Sequence, residues 1–256
     1  MLYVLAAIVI GVSIAYALAG VTFVRRRLHG RVFEGHNDVL VPIFLTAGTL
    51  YAVLLAFLVI AVWESYGAAT DNAADEASAL TTLYRETNGL PVEQRRDLRA
   101  LLREYTEAVV VDEWPIQATT GGASTRARTA LGALYGAFGS MNPKVAASTM
   151  GVEFVQTLRT VATARDRRRL QAGESLQLVL WFGLVLGGAI VVGMTFVLYM
   201  EATWPHVLFS VLMAALIGTL LLITLLLNRP FVGPLGLTSD SFEHALTVYD
   251  SVDKGH

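Results

Sequence analysis

A hydrocarbon core about 30 Å thick is crossed by about 20 helical residues, and four stretches of this sequence meet that length almost without charge: 2–24, 39–63, 176–199 and 204–227. The first three contain no Asp, Glu, Lys, Arg or His, and the fourth contains only His206 near its start. Four transmembrane helices are therefore expected. Composition agrees, because 54% hydrophobic residues, 16% charged residues and a mean hydropathy of +0.55 lie outside the range of soluble domains. Trp63, Tyr199 and Trp204 fall at the ends of the stretches, where amphipathic rings prefer the membrane interface. The first stretch does not read as a cleaved signal peptide: no basic region precedes it, and Arg25, Arg26 and Arg27 close it. Small residues recur within the stretches, among them Gly20, Gly48, Gly187 and Gly188, which permits close helix packing.

Residues 64–175 have a different character, charged but with apolar residues at helical spacing. Trp63, Tyr66, Thr70, Ala73, Ala77, Leu80 and Tyr84 follow a 3-4 rhythm, so the second span is expected to continue beyond the membrane as one helix. Asn88-Gly89-Leu90-Pro91 reads as a left-handed cap followed by a proline that can open the next helix, so a turn is expected there. A second helix carries Leu98, Leu101, Leu102, Tyr105 and Val109 inward and ends at Trp114-Pro115 and Gly121-Gly122. A third covers about 125–139, with Leu131, Leu134, Tyr135 and Phe138 inward, and a fourth starts at Met141-Asn142-Pro143 and carries Val152, Val155, Leu158 and Val161 or Ala162. The expected fold class is an all-α membrane protein with four transmembrane helices and an inserted helical bundle between the second and third. The boundaries are 1–63, 64–175, 176–227 and a tail at 228–256, in which Asp240 and Glu243 resemble a capping box and Phe242, Leu246 and Tyr249 form an apolar side.

Sidedness is left open by two opposed signals. Arg25, Arg26, Arg27 and Arg31 in the short first loop favour that loop as cytoplasmic, whereas Arg165, Arg167, Arg168 and Arg169 before the third span pull the inserted domain inward.

The order of these features resembles a family of bacterial and plant membrane proteins of unknown function, the bestrophin-like domain family. The landmarks are Asn37-Asp38, Trp63, Asp75-Glu76-Ala77 with Leu83-Tyr84, Tyr105, Glu113-Trp114-Pro115, the arginine group and Pro230-Phe231-Val232-Gly233. They extend over nearly the whole chain. The resemblance implies an integral protein of a bacterial plasma membrane and an analogy to bestrophins, which are oligomeric anion channels with four membrane helices around a shared axis. The Arg-Phe-Pro sequence associated with bestrophins proper is absent, so no pore or calcium residue is transferred from them.

Catalytic and metal constellations are not evident. Cysteine is absent, and His29, His36, His206, His244 and His256 form no zinc-spaced pair with a carboxylate on one helical face. No Gly-x-Ser-x-Gly elbow or phosphate-cradling glycine motif occurs. No enzyme activity, no metal and no cofactor are expected, and a net charge of -2 argues for no nucleic acid. Asp71, Asp75 and Glu76 lie within about a turn and a half of helix, and a solvated face or pairing with arginines suits them better than calcium. Glu113 beside Trp114 is expected to form a buried polar contact with Arg165 or Arg168.

Arg165, Arg168 and Arg169 share one helical side, so they are candidates for contact with anions or lipid headgroups, the bland use being an anchor to lipid phosphate. Thr46, Thr49 and Tyr51 in the uncharged second span are candidate pore-lining residues, with dewetting as the gate. The expected partners are the lipid bilayer, further copies of the chain and small ions. Two functions remain open at this point: an oligomeric small-ion channel, of anions by analogy, and a membrane-anchored sensor or scaffold whose helical domain binds a partner or ligand.

Overall fold

The computed structural model describes residues 2–27, 34–141 and 143–255. His29, Gly30, Arg31, Asn142 and His256 lie outside them. The elements are α1 Leu2–Arg27, a 3₁₀ turn Glu34–His36, α2 Asn37–Glu86, a 3₁₀ turn Thr87–Gly89, α3 Val92–Ala108, a π-helical turn Val109–Glu113 and α4 Trp114–Thr120. They continue with α5 Thr125–Gly139, α6 Pro143–Ala146, α7 Thr149–Gly173, α8 Leu178–Phe196, α9 Thr203–Leu227 and α10 Asp240–Lys254. No strand occurs among the described residues. The chain divides into two compact units, Met1–Glu64 with Ser175–Asn228, and Ser65–Glu174 with Arg229–His256.

In the first unit α1 packs mainly on α9 and also on α8. Ala17, Val21, Leu184, Val191, Val192, Phe196, Ala214 and Ile217 form its core with Tyr51 and Leu55 of α2. Glycine sets the spacing: Gly20 lies under the ring of Phe196, and a Cβ on Gly188 would stand 2.8 Å from the Tyr51 hydroxyl and 3.0 Å from Ile217. Several polar groups within this core find partners, since a polar group without one in an apolar medium costs about 2–7 kcal/mol. Tyr51 donates to the Leu184 carbonyl at 3.1 Å, Thr195 to Ser210 at 3.0 Å, and a buried His206 contacts the Thr195 carbonyl at 2.8 Å. Asn37 closes the start of α2 by donating to the Tyr199 carbonyl and accepting from the Tyr199 N–H, both at 2.9 Å.

Helices α1, α2, α8 and α9 are each long and apolar enough to cross a membrane. In the most apolar stretch of α1 and of α2 only 11% of residues are buried, against 39% in α9. The outward faces are therefore apolar, as a lipid or helix neighbour requires.

The second unit gathers the rest of α2, α3 to α7 and α10 around Leu80, Leu83, Tyr84, Leu98, Leu102, Tyr105, Trp114, Leu134, Phe154, Leu158, Phe242 and Tyr249. Several sequence expectations shift here. Gly89 lies in a 3₁₀ turn and does not take the left-handed conformation expected of it, and the helix that carries Leu98 ends at Gly121 as expected but not at Trp114-Pro115. The π-helical turn precedes it, Pro115 sits in the first turn of α4 where a missing N–H costs nothing, and Gly121 at φ 70° stops the helix.

The fourth helix starts at a Ser148 cap rather than at 141–143, where only the single turn α6 forms; Ser148 Oγ accepts from Gly151 N at 3.2 Å. Its inward stripe is Gly151, Phe154, Leu158, Val161, Arg165 and Arg168, which leaves Val152 46% exposed. Tyr135 is at the edge of α5, with the buried face formed by Ala127, Ala130, Leu131 and Leu134. In α10 the cap position is Ser239, whose hydroxyl donates to Glu243 at 2.6 Å, and Asp240 is the first helical residue. Helix α7 ends at Gly173, and residues 174–177 separate it from α8.

Close packing of the first unit gives a direct test. Gly188→Ala should destabilise it by about 1–3 kcal/mol through overpacking against Tyr51 and Ile217. Gly183→Ala, where a Cβ meets nothing within 4 Å, should leave melting in detergent unchanged.

Candidate functional site

The most concentrated chemistry in the second unit is a buried group of four charges. Helix α2 brings Glu76 to the core because the buried stripe of its second half runs Ala69, Ala73, Glu76, Leu80, Leu83 at 3-4 spacing. Helix α7 supplies Arg165 and Arg168, one turn apart on its inward face. The π-helical turn supplies Glu113. Such a turn shifts the register of the residues after it, and Glu113, Trp114 and Gln117 are all buried while Asp112 reaches outward to Arg126 at 3.2 Å.

Arg168 is at the centre. Its Nε donates to Glu76 Oε2 at 2.8 Å, Nη2 to Glu76 Oε1 at 3.1 Å and to Glu113 Oε1 at 2.9 Å, and Nη1 to Gln117 Oε1 at 2.7 Å. Glu113 Oε2 accepts from Arg165 Nη2 at 2.6 Å and from the Ser124 N–H at 3.1 Å. Tyr105 donates to Glu76 Oε1 at 2.5 Å. The Arg168 guanidinium also lies 5.4 Å from the ring centroids of Trp114 and Phe242, within cation–π range.

Glu76, Glu113 and Arg168 are fully buried and Arg165 is 3% exposed, so two cations meet two carboxylates in a dry core. Burial, helped by the charge of Glu76, pushes the Tyr105 hydroxyl well above its ordinary range and keeps it a donor. Burial opposes the charge on Arg168, but the attraction and hydrogen bonding of Glu76 outweigh it and raise its pKa.

The structure thus brings Glu113, Trp114, Arg165 and Arg168 together, with the Trp114 indole donating to the Leu237 carbonyl at 2.9 Å. It also corrects the use expected for the arginines. Arg165 and Arg168 are enclosed and bound to carboxylates, so neither reaches a lipid phosphate or a passing anion. Only Arg169 is exposed, 3.5 Å from Asp166 within its own helix. Glu76, Gln117, Tyr105 and Ser124 were not singled out as partners by sequence, although a carboxylate in phase with an apolar stripe was the signal for Glu76. Among the described residues no three His, Asp or Glu side chains gather as metal ligands.

The candidates in the second span separate as well. Thr46 and Thr49 are exposed and return their hydroxyls to the Pro42 and Leu45 carbonyls at 2.9 and 2.8 Å. Tyr51 is 8% exposed and packs into the core of the first unit against Gly187 and Gly188, so it does not share their face. Two residues of helix amount to a rotation of about 200°, which explains the separation from Thr49. Beside Tyr51, a wide apolar groove of about 570 Å³ runs between α2 and α9.

The sequence model of the bestrophin-like domain matches residues 11–242, a span that begins within α1 and holds the buried charge group and the other three apolar helices. The chain belongs to the bestrophin-like domain family. Among solved structures, two mutant forms of a bacterial bestrophin homologue from Klebsiella pneumoniae superpose with TM-scores of 0.74 and 0.75, each at 13% identity and covering 96% of this chain and 97% of theirs. A further structure of that homologue gives 0.73 at 13% identity, with 96% of each chain covered. At this identity the likeness shows the fold, and the bestrophin-like chain shares it across both units. No curated protein matches.

Removing the central cation tests the network. A carboxylate left buried without its partner costs about 3–5 kcal/mol, so Arg168→Ala should lower the melting temperature sharply, while Arg169→Ala should not change it. Equal melting of the two variants would show that the network contributes nothing to stability.

Proposed function

We propose that this bestrophin-like protein is an oligomeric membrane channel for small ions, with the exposed face of α2 along the permeation path. The observation that carries this reading is the face itself. Val39, Ile43, Thr46, Leu50, Val53, Phe57 and Ile60 recur at 3-4 spacing, all exposed, opposite the stripe that holds α2 to its own unit. Several copies around an axis would cover that face and leave a narrow apolar passage, opened by wetting and closed by dewetting. The layout goes with it: α1, the first half of α2, α8 and α9 cross the bilayer, with residues 65–174 on one side and the α8–α9 connection at 197–202 on the other.

Polarity has two supports that oppose each other. The family analogy favours anions. The arginine group adds little to it, because two of its four guanidiniums, those of Arg165 and Arg168, are neutralised in the core. One observation favours cations: on the exposed side of α2 beyond Ile60 the charged residues before Arg85 are Glu64, Asp71 and Asp75. Carboxylates lining a passage attract cations.

Two measurements test the reading. In this cysteine-free chain, Ala123→Cys and Glu201→Cys, both at positions outside the core, should be labelled by an impermeant thiol reagent from opposite sides of the membrane. Labelling from one side refutes the layout. In planar bilayers under a salt gradient the purified oligomer should conduct, and the sign of the reversal potential gives the polarity. Phe57→Ala should widen and wet the passage and raise open probability, whereas Thr46→Val and Thr49→Val should lower it. An oligomer silent under voltage, tension and calcium would point to the sensor or scaffold instead.

A further inference from the structure

Helix α3 carries Arg95, Arg96, Arg99 and Arg103, and these four line one cavity of about 460 Å³ with Tyr84, Val92, Ala100 and Asp253. Arg95, Arg99 and Arg103 are spaced i, i+4, i+8 and share a helix face, where like charges repel unless an anion lies among them. One anion is supplied by α10. Asp253 accepts from Arg99 Nη1 at 2.8 Å, from Arg103 Nη2 at 3.1 Å and from the Tyr84 hydroxyl at 2.7 Å, and Asp250 pairs with Arg103 Nη1 at 2.9 Å.

The remaining half of the cavity has no carboxylate. Arg95 uses Nη2 on the Asn88 and Leu90 carbonyls, both at 3.2 Å, but its Nε is buried without a partner. Arg96 is exposed beside it. None of the α3 carboxylates, Glu93, Asp97, Glu104 and Glu107, lines the cavity.

The guanidiniums on the α10 side are also held in place. Arg99 stands over the Tyr84 ring at 5.1 Å and Arg103 over the Tyr249 ring at 5.8 Å, and those two rings are stacked with centroids 3.9 Å apart. Arg99 Nε donates to Thr87 at 3.0 Å and its Nη2 to Asn88. Fixed planar forks of this kind suit the tetrahedral oxygens of a phosphate, which accept paired N–H donors. A solvated basic face would leave such side chains free rather than fixing them by hydrogen bonds and ring contacts.

We propose that this cavity is a binding site for a phosphate-bearing anion, held by Arg95 and Arg96 in front of Arg99 and Arg103, in competition with Asp253 of α10 for the guanidiniums. The site lies wholly within the second unit and does not depend on the channel reading. A phosphate could come from a soluble compound or from a lipid headgroup.

The test uses the full-length protein in a neutral detergent, titrated calorimetrically with inorganic pyrophosphate in one arm and with dioctanoyl phosphatidic acid in the other. Dioctanoyl phosphatidylcholine and sulfate serve as controls. Saturable binding is expected in at least one arm, with the preferred arm naming the source. Losing one charge-assisted contact corresponds to about a tenfold loss of affinity, so Arg96→Gln should weaken binding about tenfold, and Arg95→Gln with Arg96→Gln should weaken it further. Arg96 is exposed and makes no hydrogen bond among the described residues, so the single variant decides the matter if the double variant fails to fold. Asp253→Asn should tighten binding by releasing Arg99 and Arg103. Arg128→Gln, on the exposed side of α5, should change nothing. Binding that sulfate matches, that Arg96→Gln leaves unaltered, or that is absent in both arms overturns the proposal.

Discussion

The Arg168 guanidinium draws together more of the second unit than any other group. It joins α2 through Glu76, the π-helical turn through Glu113, α4 through Gln117 and α10 through the face of Phe242, from segments up to 92 residues away in sequence. A charge buried so completely is tolerated only when opposite charge and hydrogen bonds replace its water, and each replacement fixes where one helix must stand. The π-helical turn follows from the same demand. It interrupts an otherwise regular helix, yet it accompanies the burial of a carboxylate, an indole and an amide within five residues, and it lets Pro115 begin a fresh helical turn.

Helix α2 gives the protein its other constraint. A single helix of 50 residues contributes its first half to one unit and its second half to the other. Each half buries a single stripe and leaves the opposite stripe bare. A bare apolar stripe without charge is stable in lipid or against another helix and unstable in water. That asymmetry leaves the first half of α2 with an apolar face that lipid or a second copy of the chain would cover, and leaves the second half with an acidic face.

The C-terminal helix shows how a charge pattern can be read at two levels. Helix α3 carries four arginines, Arg95, Arg96, Arg99 and Arg103, which its local sequence leaves indistinguishable in use. In the fold, α10 lays Asp250 and Asp253 across some of its arginines and stacks Tyr249 on Tyr84. The uncovered remainder is a cavity lined by Arg95 and Arg96. Tyr249 is buried, and burial raises its hydroxyl pKa, so it stays neutral beside Thr106.

Sequence alone determined the four long apolar helices, the helical class of the rest, the turn at Asn88-Gly89, the stop at Gly121 and the pairing of Glu113 with an arginine of the later group. Those features rest on local rules: the length of a bilayer, the 3.6-residue period and the conformations open to glycine and proline. Tertiary structure decided the rest. Whether Arg165 and Arg168 face lipid or core, whether Tyr51 or Thr49 turns toward the core, and which arginines of α3 lack a carboxylate all depend on which helices pack together. Arginines at one spacing serve equally as a membrane anchor or as a buried clamp. Only the position of Glu76 and Glu113, set by packing across 92 and 55 residues of chain, distinguishes the two.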